Sequence, residues 1–201
     1  MRGIEQIPWL YDAGMALLEL TGLLEWRREL VAGARGRVLD VGCGTGRDLA
    51  SLPEETRATG LDPNLPSLLA ARTRAPGAAL VAGVAEALPF RKESFDTVLS
   101  GLCFCSVPDP DRGLREVRRV LSRTGRLRML EHVRSTNPLA AFLQDVSTPA
   151  WKWATGGCHP NRRTEEAVVS AGFRVETERR RAHRSMRLFS ARPVSGRRAS
   201  P

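Results

Sequence analysis

The stretch Val38-Leu39-Asp40-Val41-Gly42-Cys43-Gly44-Thr45-Gly46 constrains this chain more than any other. Residues of strand character run into a loop with glycine at every second position. Glycine lets the backbone come close to a ligand, and a helix predicted from Arg47 to Leu52 presents unpaired N–H groups at its start. Asp62 lies 20 residues after Gly42, at the end of a second predicted strand, Ala58 to Asp62. A carboxylate there can accept hydrogen bonds from both hydroxyls of an adenosine ribose. Nicotinamide dinucleotides bind to the same broad design, but their G-x-G-x-x-G fingerprint asks for its third glycine at position 47. That residue is Arg47; the third glycine comes one residue early, at Gly46.

The rest of the chain alternates. Leu10 to Val31 reads as helix, with Leu17, Leu20, Leu24 and Val31 on one face and Leu18 and Leu23 widening it. This stripe is read as intramolecular packing, with Gly22 as a break. After the loop come a helix over Leu65 to Arg74 and strands at Ala79 to Val81 and Phe95 to Ser100. Asp109 is an N-cap, Pro110 follows at the first helical position, and Leu114, Val117, Val120 and Leu121 share a face. Arg126 to Glu131 is a further strand. Thr164 caps a helix that Gly172 ends, and strands follow at Phe173 to Glu178 and Met186 to Ala191. This alternation predicts an α/β fold with a mostly parallel, seven-stranded sheet flanked by helices and ligands at the strands' carboxyl ends. Residues 134–160, with Pro138, Pro149, Gly156, Gly157 and Pro160, break the pattern and read as a substrate-side insertion. Residues 1–194 are expected to form one domain, residues 1–34 its helical cover, and residues 195–201 a flexible tail.

Composition removes several classes. With 26% charged and 42% hydrophobic residues in 201, the chain is neither disordered nor collagen-like and suits one globular domain. No apolar run approaches the roughly 18 residues of a spanning helix, and residues 1–5 carry no secretory signal pattern. The net charge of +9 is almost all arginine, concentrated late at Arg179 to Arg181, Arg184, Arg187, Arg192, Arg197 and Arg198. Such charge attracts RNA, anionic membrane or an acidic substrate. Cys43, Cys103, Cys105 and Cys158 form no C-x-x-C pair, so neither a structural zinc nor a disulfide framework is expected. A reducing cytoplasm is the expected compartment, with contact at a membrane surface as the alternative.

Strand, acidic residue, G-x-G-x-G, helix and distant Asp62 together resemble motif I of the class I S-adenosylmethionine-dependent methyltransferases. The resemblance covers nearly the whole chain and implies a Rossmann-like sheet with an antiparallel last strand. Gly83-Val84-Ala85-Glu86-Ala87-Leu88-Pro89-Phe90 is similar to the family's adenine loop. Val84 stands where the family usually has the Asp that takes the adenine amino group; Glu86 is the candidate replacement. Cys103-Phe104-Cys105-Ser106-Val107, Met129-Leu130-Glu131-His132-Val133, Pro149-Ala150-Trp151 and Gly156-Gly157-Cys158-His159 resemble the methyltransferase-like thiol S-methyltransferases. They resemble phospholipid N- and quinone C-methyltransferases less sharply. The Asn/Asp-Pro-Pro-aromatic motif and the Pro-Cys nucleophile of RNA methyltransferases do not occur between Ser100 and Asp109, which argues against nucleic acid.

The resemblance implies S-adenosyl-L-methionine as cofactor, with Asp40, Gly42, Cys43, Gly44, Gly46, Asp62, Pro63, Val84, Ala85 and Leu102 around it. Tyr11, Cys103, Trp151 and His159 are the candidate substrate contacts, and His132 is the candidate base, an imidazole at the end of a strand near the expected pocket. No metal is expected, and the partner is a small-molecule methyl acceptor, for instance a thiol. The alternatives are a phospholipid or quinone methyltransferase at a membrane surface, an RNA methyltransferase using the basic end, and a non-catalytic cofactor-binding module.

Overall fold

Val38 to Val41 are buried on both faces of their strand, the burial that a central position in a parallel sheet demands. This strand is β1, Arg37–Val41. The computed structural model describes residue 3 and residues 7–194, apart from the side chains of residues 21 and 179. The elements around β1 are α1 (Pro8–Leu18), α2 (Leu24–Ala32), β2 (Arg57–Asp62), α3 (Leu65–Arg74), β3 (Ala79–Ala82), β4 (Phe95–Gly101) and α4 (Pro110–Val120). They continue as β5 (Leu121–His132), α5 (Pro138–Thr155), α6 (Thr164–Ser170), β6 (Phe173–His183) and β7 (Met186–Pro193). The sheet order is β3-β2-β1-β4-β5-β7-β6. β3 to β5 pair in parallel through β1, and β7 runs antiparallel to both β5 and β6. The order reverses beside β1, so a crevice opens at the carboxyl ends of β1 and β4.

One face of the sheet packs Leu114, Val117 and Val120 of α4 with Phe104, Phe173 and Phe189; the other packs Trp26, Leu30 and Val31 of α2 over Val38, Leu99 and Leu130. Asp109 caps α4 as expected, its Oδ1 accepting from the Arg112 N–H at 2.9 Å.

Four expectations are corrected. The helix predicted over Arg47 to Leu52 is one short 3-10 turn, Leu49–Ser51, because Pro53 forces Leu52 into extended backbone. The stripe from Leu17 to Val31 is not a packing face throughout. Gly22 takes a φ of +105° in the wide turn Glu19–Leu23, and this kink turns α1 out of phase with α2. Trp26, Leu30 and Val31 face inward, whereas Leu17 and Leu20 are 66% and 85% exposed. Residues 134–160, expected to break the strand–helix alternation, hold an 18-residue helix, α5. Asn137 caps it by accepting from the Ala140 N–H at 3.1 Å, Pro149 sits within it, and Gly156 at a φ of +94° ends it. Thr164 is the first residue of α6 and makes no capping bond. The expected tail, 195–201, lies outside the described residues.

Candidate active site

The crevice holds a pocket walled by residues from four strand ends. Val41 ends β1, and Gly42 and Gly44 follow it; Leu61 and Asp62 end β2, and Pro63 and Asn64 follow it; Val84, Ala85 and Glu86 follow β3; Gly101 ends β4, and Leu102, Cys103, Ser106, Val107 and Pro108 follow it. Tyr11 of α1, Ser67 of α3 and Gly156 at the end of α5 complete it. Nine expected site residues are thus brought together: Tyr11, Gly42, Gly44, Asp62, Pro63, Val84, Ala85, Leu102 and Cys103. Asp40, Cys43, Gly46, His132, Trp151 and His159 are not in the wall.

The loop has φ values of +71°, +51° and +81° at Gly42, Gly44 and Gly46, a path open to few other residues. It does not present the row of unpaired donors expected of a helix start. The Gly42 and Cys43 N–H groups both donate to the Leu61 carbonyl, the Gly46 N–H to the Cys43 carbonyl and the Gly44 N–H to Asp62 Oδ2. The loop therefore offers a shape. A Cβ on Gly42 would clash with Cys103 Sγ, whereas one on Gly44 would find its nearest atom, Tyr11 Cε1, at 4.0 Å.

Asp62 is held by both oxygens, Oδ2 on Gly44 and Oδ1 accepting from the Asn64 N–H at 2.8 Å. Burial raises its pKa, and the Asn64 and Gly44 N–H groups oppose that shift. Asp40 lies beneath the loop, 1% exposed, and neither of its carboxylate oxygens has a hydrogen-bond partner. Burial and the neighbouring Asp48 push its pKa well up, while Arg27 pulls it down. Leu102 adopts a φ of +59° where β4 ends, a left-handed conformation that a leucine holds only under constraint. The Leu102 N–H donates to the Leu130 carbonyl at 2.7 Å.

The N-terminal cover is tied down by charge. Asp12 of α1 accepts from Thr45 Oγ1 at 2.7 Å, Arg47 Nε at 2.9 Å and Arg74 Nη2 at 2.7 Å, and Arg47 also reaches Glu19 at 2.6 Å. This network sets Tyr11 over the pocket.

Sequence reasoning missed Glu131. It is fully buried, and its carboxylate accepts from Ser100 Oγ and from the N–H groups of Cys103, Phe104 and Cys105. Burial raises it to about 7 against those bonds. The wall after β4 hangs on this one side chain. Cys103 is pushed far up by burial and the nearby Glu131, so its thiol is neutral and lines the pocket as a small apolar group.

His132 is placed against Cys105 and Cys158, away from the pocket wall. Hydrogen bonds from Cys105, His132 and Trp151 lower the Cys158 thiol, with burial opposing them. His159 donates its N–H to the Cys105 carbonyl at 2.8 Å, a structural use.

Among the late arginines whose side chains are described, Arg180, Arg181, Arg187 and Arg192 are engaged within the fold. Arg180 pairs with Glu165, Arg181 with Glu25 and Glu29, and Arg192 with Glu176. Arg187 is buried on the carbonyls of Arg184 and Met186. Arg197 and Arg198 lie outside the described residues. A wider cleft of about 530 Å³, lined by Arg134, Arg162, Arg163, Arg180 and Arg187, opens near the start of α6; it has neither the glycine loop nor Asp62.

Residues 39–129 match the methyltransferase domain family. The chain is 35% identical over 160 residues to the human thiol S-methyltransferase TMT1B, covering 74% of this chain and 66% of that one. It is 37% identical over 141 residues to the demethylmenaquinone methyltransferase of Roseiflexus castenholzii, covering 66% of this chain and 59% of that one. The chain therefore spans slightly less than two thirds of these relatives. A solved SAM-dependent methyltransferase of Thermotoga maritima, described as a possible histamine N-methyltransferase, superposes with a TM-score of 0.74. It covers 94% of this chain and 97% of its own, and at 22% identity the likeness concerns the fold. By its loop, its strand order and these matches, the chain belongs to the class I S-adenosylmethionine-dependent methyltransferases.

Proposed function

We propose that this chain transfers a methyl group from S-adenosyl-L-methionine to a small molecule, with a thiol as the acceptor class. The observation that carries the reading is the pair of carboxylates at the glycine loop. Asp62 is pre-set by two backbone N–H groups in the pocket wall, and Asp40 is buried below with two unpartnered oxygens. An adenosine with an α-amino acid arm supplies donors for both. The ribose hydroxyls suit Asp62, and an ammonium group above the loop would favour the ionised form of Asp40, which burial disfavours in the unliganded chain. Val84, Ala85 and Glu86 wall the adenine end, with Glu86 as acceptor for the amino group.

The bound cofactor supplies a methyl group activated on a sulfonium. The chain's own part is to orient and to exclude water. Tyr11, Leu102, Cys103 and Gly156 close on the pocket mouth between α1 and α5, where the acceptor enters. Cys103, held neutral, does not compete as a nucleophile. The thiol acceptor reacts as its thiolate. His132 stands with two thiols outside the pocket wall, which does not support it as the general base. The acceptor class rests on the later motifs and on relatives named as thiol S-methyltransferases.

One observation favours a second reading, a lipophilic acceptor such as a quinol, taken at a membrane surface. α5 exposes Leu139, Phe142, Leu143 and Val146 at helical spacing, α1 exposes Trp9 and Leu17, and Tyr11 of α1 and Gly156 after α5 line the pocket. No described helix is long and apolar enough to cross a membrane. Cytoplasmic location with peripheral contact is part of this proposal. The internal pairing of the late arginines weighs against an RNA track.

The test is release of S-adenosylhomocysteine across small thiols, amines, phenols, quinols and lipid extracts, with and without anionic vesicles. Turnover with thiols alone supports the first reading, and turnover that needs vesicles supports the second. Cofactor binding without turnover on any acceptor overturns both.

A further inference from the structure

Three side chains that this chemistry does not use meet behind the pocket. Cys105 follows β4, His132 ends β5 and Cys158 follows α5; their two sulfurs and a ring nitrogen all lie within 4.8 Å of one another. The residues are far apart in sequence, so only the packed fold joins them. Each stands on backbone that is already fixed. The Cys105 N–H donates to Glu131 Oε2 at 3.3 Å, and its carbonyl accepts from His159. His132 is in register with Met186 of β7, and the Cys158 N–H donates to Thr155 Oγ1 at 3.2 Å. Both cysteines are buried and the histidine is half-buried.

We propose that Cys105, His132 and Cys158 form a three-ligand site for a thiophilic transition-metal ion, with Zn²⁺ the ion that the donor set fits best. Two thiolates and an imidazole are soft and borderline donors that exclude Mg²⁺ and Ca²⁺, which take oxygen. Two thiolates balance a divalent charge, so the buried centre is neutral. Zinc bonds of about 2.3 Å to sulfur and 2.0–2.1 Å to nitrogen bring tetrahedral ligands somewhat closer together than they now stand. The protons that the two thiols and the imidazole still hold leave to solvent as the ion binds, and a fourth position is left for water. The sequence expectation of no metal rested on the absence of a C-x-x-C pair; here the ligands come from three separate segments. Ser106, next to Cys105, and Gly156, two residues before Cys158, both line the cofactor pocket. An ion at this site would lock the end of α5 to the strand ends and so set the pocket's rim.

The test uses the full chain, fully reduced, stripped with chelator, and titrated with Co²⁺ and then Zn²⁺. One ion per chain is expected, with thiolate-to-cobalt charge-transfer absorption and tetrahedral d–d bands that Zn²⁺ abolishes, and with proton release on binding. Cys105→Ser and Cys158→Ser should each weaken binding on the order of 100-fold and reduce the charge-transfer band, with His132→Gln weakening it about 10-fold or more. Cys43→Ala, the control for thiol count, should leave the spectrum unchanged. Should the serine variants fail to fold, thermal unfolding of the unmodified chain decides: Zn²⁺ should raise Tm and Mg²⁺ should not. No stoichiometric ion in the reduced chain, a spectrum unaffected by all three ligand variants, or a Cys105–Cys158 disulfide in metal-free protein isolated without reductant would overturn the proposal. None of these readouts involves S-adenosylmethionine, so they stand apart from the methyl-transfer reading.

Discussion

The Asp62 Oδ2 atom accepts a hydrogen bond of 2.9 Å from the Gly44 N–H, so the carboxylate at the end of β2 fixes the glycine loop that follows β1. One residue thereby sets both sides of the cofactor crevice. On the proposed reading, Asp62→Ala removes the acceptor for the ribose hydroxyls, and it also unties the loop. Two hydrogen bonds to a charged group contribute about 3 kcal/mol or more, which is on the order of 100-fold in affinity. Calorimetry with S-adenosylhomocysteine should show at least that loss, and unchanged affinity would remove Asp62 from the cofactor site.

Affinity should also depend on pH through the same group. Burial raises the Asp62 pKa in the unliganded chain. Ribose hydroxyls donate to the ionised form, so the cofactor binds best above that pKa and loses affinity as pH falls through it. The loss sets in at a higher pH than an ordinary carboxylate would give. Fold stability carries the opposite sign. A raised carboxyl pKa contributes stability below the unfolded value and loses it as pH rises through the folded one. Titration of affinity by calorimetry and of stability by denaturant should show these opposed slopes. Asp62→Asn should abolish both.

Asp12 holds the N-terminal cover through Thr45, Arg47 and Arg74. Burial raises its carboxyl, but the hydrogen bonds from Arg74, Thr45 and Arg47 outweigh it and the pKa is lowered. This contribution is present above the unfolded value and lost as pH falls through the lowered folded one. Asp12→Ala should cost about 1–2 kcal/mol, given that the site is partly exposed. Hydrogen exchange in α1 should quicken in this variant more than in β1 or β4.

The glycine loop allows a contrast between two nearby substitutions. Gly42→Ala drives a methyl group into Cys103 Sγ and should destabilise the fold by about 3 kcal/mol or more. Gly44→Ala meets open space and costs only the left-handed backbone, about 1 kcal/mol. Since Gly44 lines the pocket, this variant should fold and yet bind cofactor poorly. Denaturant midpoints and cofactor affinity, measured on both variants, separate the two effects.

What the sequence revealed about this molecule was local. The strand, loop and Asp62 lie within 25 residues, and each has its own chemical reason, so their meeting at one pocket was legible. α5 was hidden because Pro149 inside it mimics a helix stop, although Asn137 and Gly156 bracket it as caps. The stripe in residues 17–31 misled because Gly22 rotates one half of it against the other. Glu131, Cys105 and Cys158 stood in the later motifs and His132 stood out as a candidate base, but their joint arrangement arises only when β4, β5 and α5 come together.

Glu131 offers the sharpest test of how the pocket wall is held. Its Oε1 accepts from Ser100 Oγ at 2.6 Å, the Phe104 N–H at 3.0 Å and the Cys103 N–H at 3.3 Å, while Oε2 accepts from Cys105. Glu131→Ala leaves four donors facing a buried void. Each unmet donor costs about 1–3 kcal/mol, so the total approaches the 5–15 kcal/mol that holds a domain folded. Glu131→Gln keeps one oxygen for three of the donors but turns an amide N–H toward Cys105, which should cost about 1–2 kcal/mol. Ser100→Ala removes a single donor and leaves the carboxylate with its backbone partners, so it should cost about 1 kcal/mol. Urea midpoints at constant m-value should therefore rise in the order Glu131→Ala, Glu131→Gln, Ser100→Ala. If Glu131→Ala proved as stable as Glu131→Gln, the wall after β4 would not depend on this carboxylate.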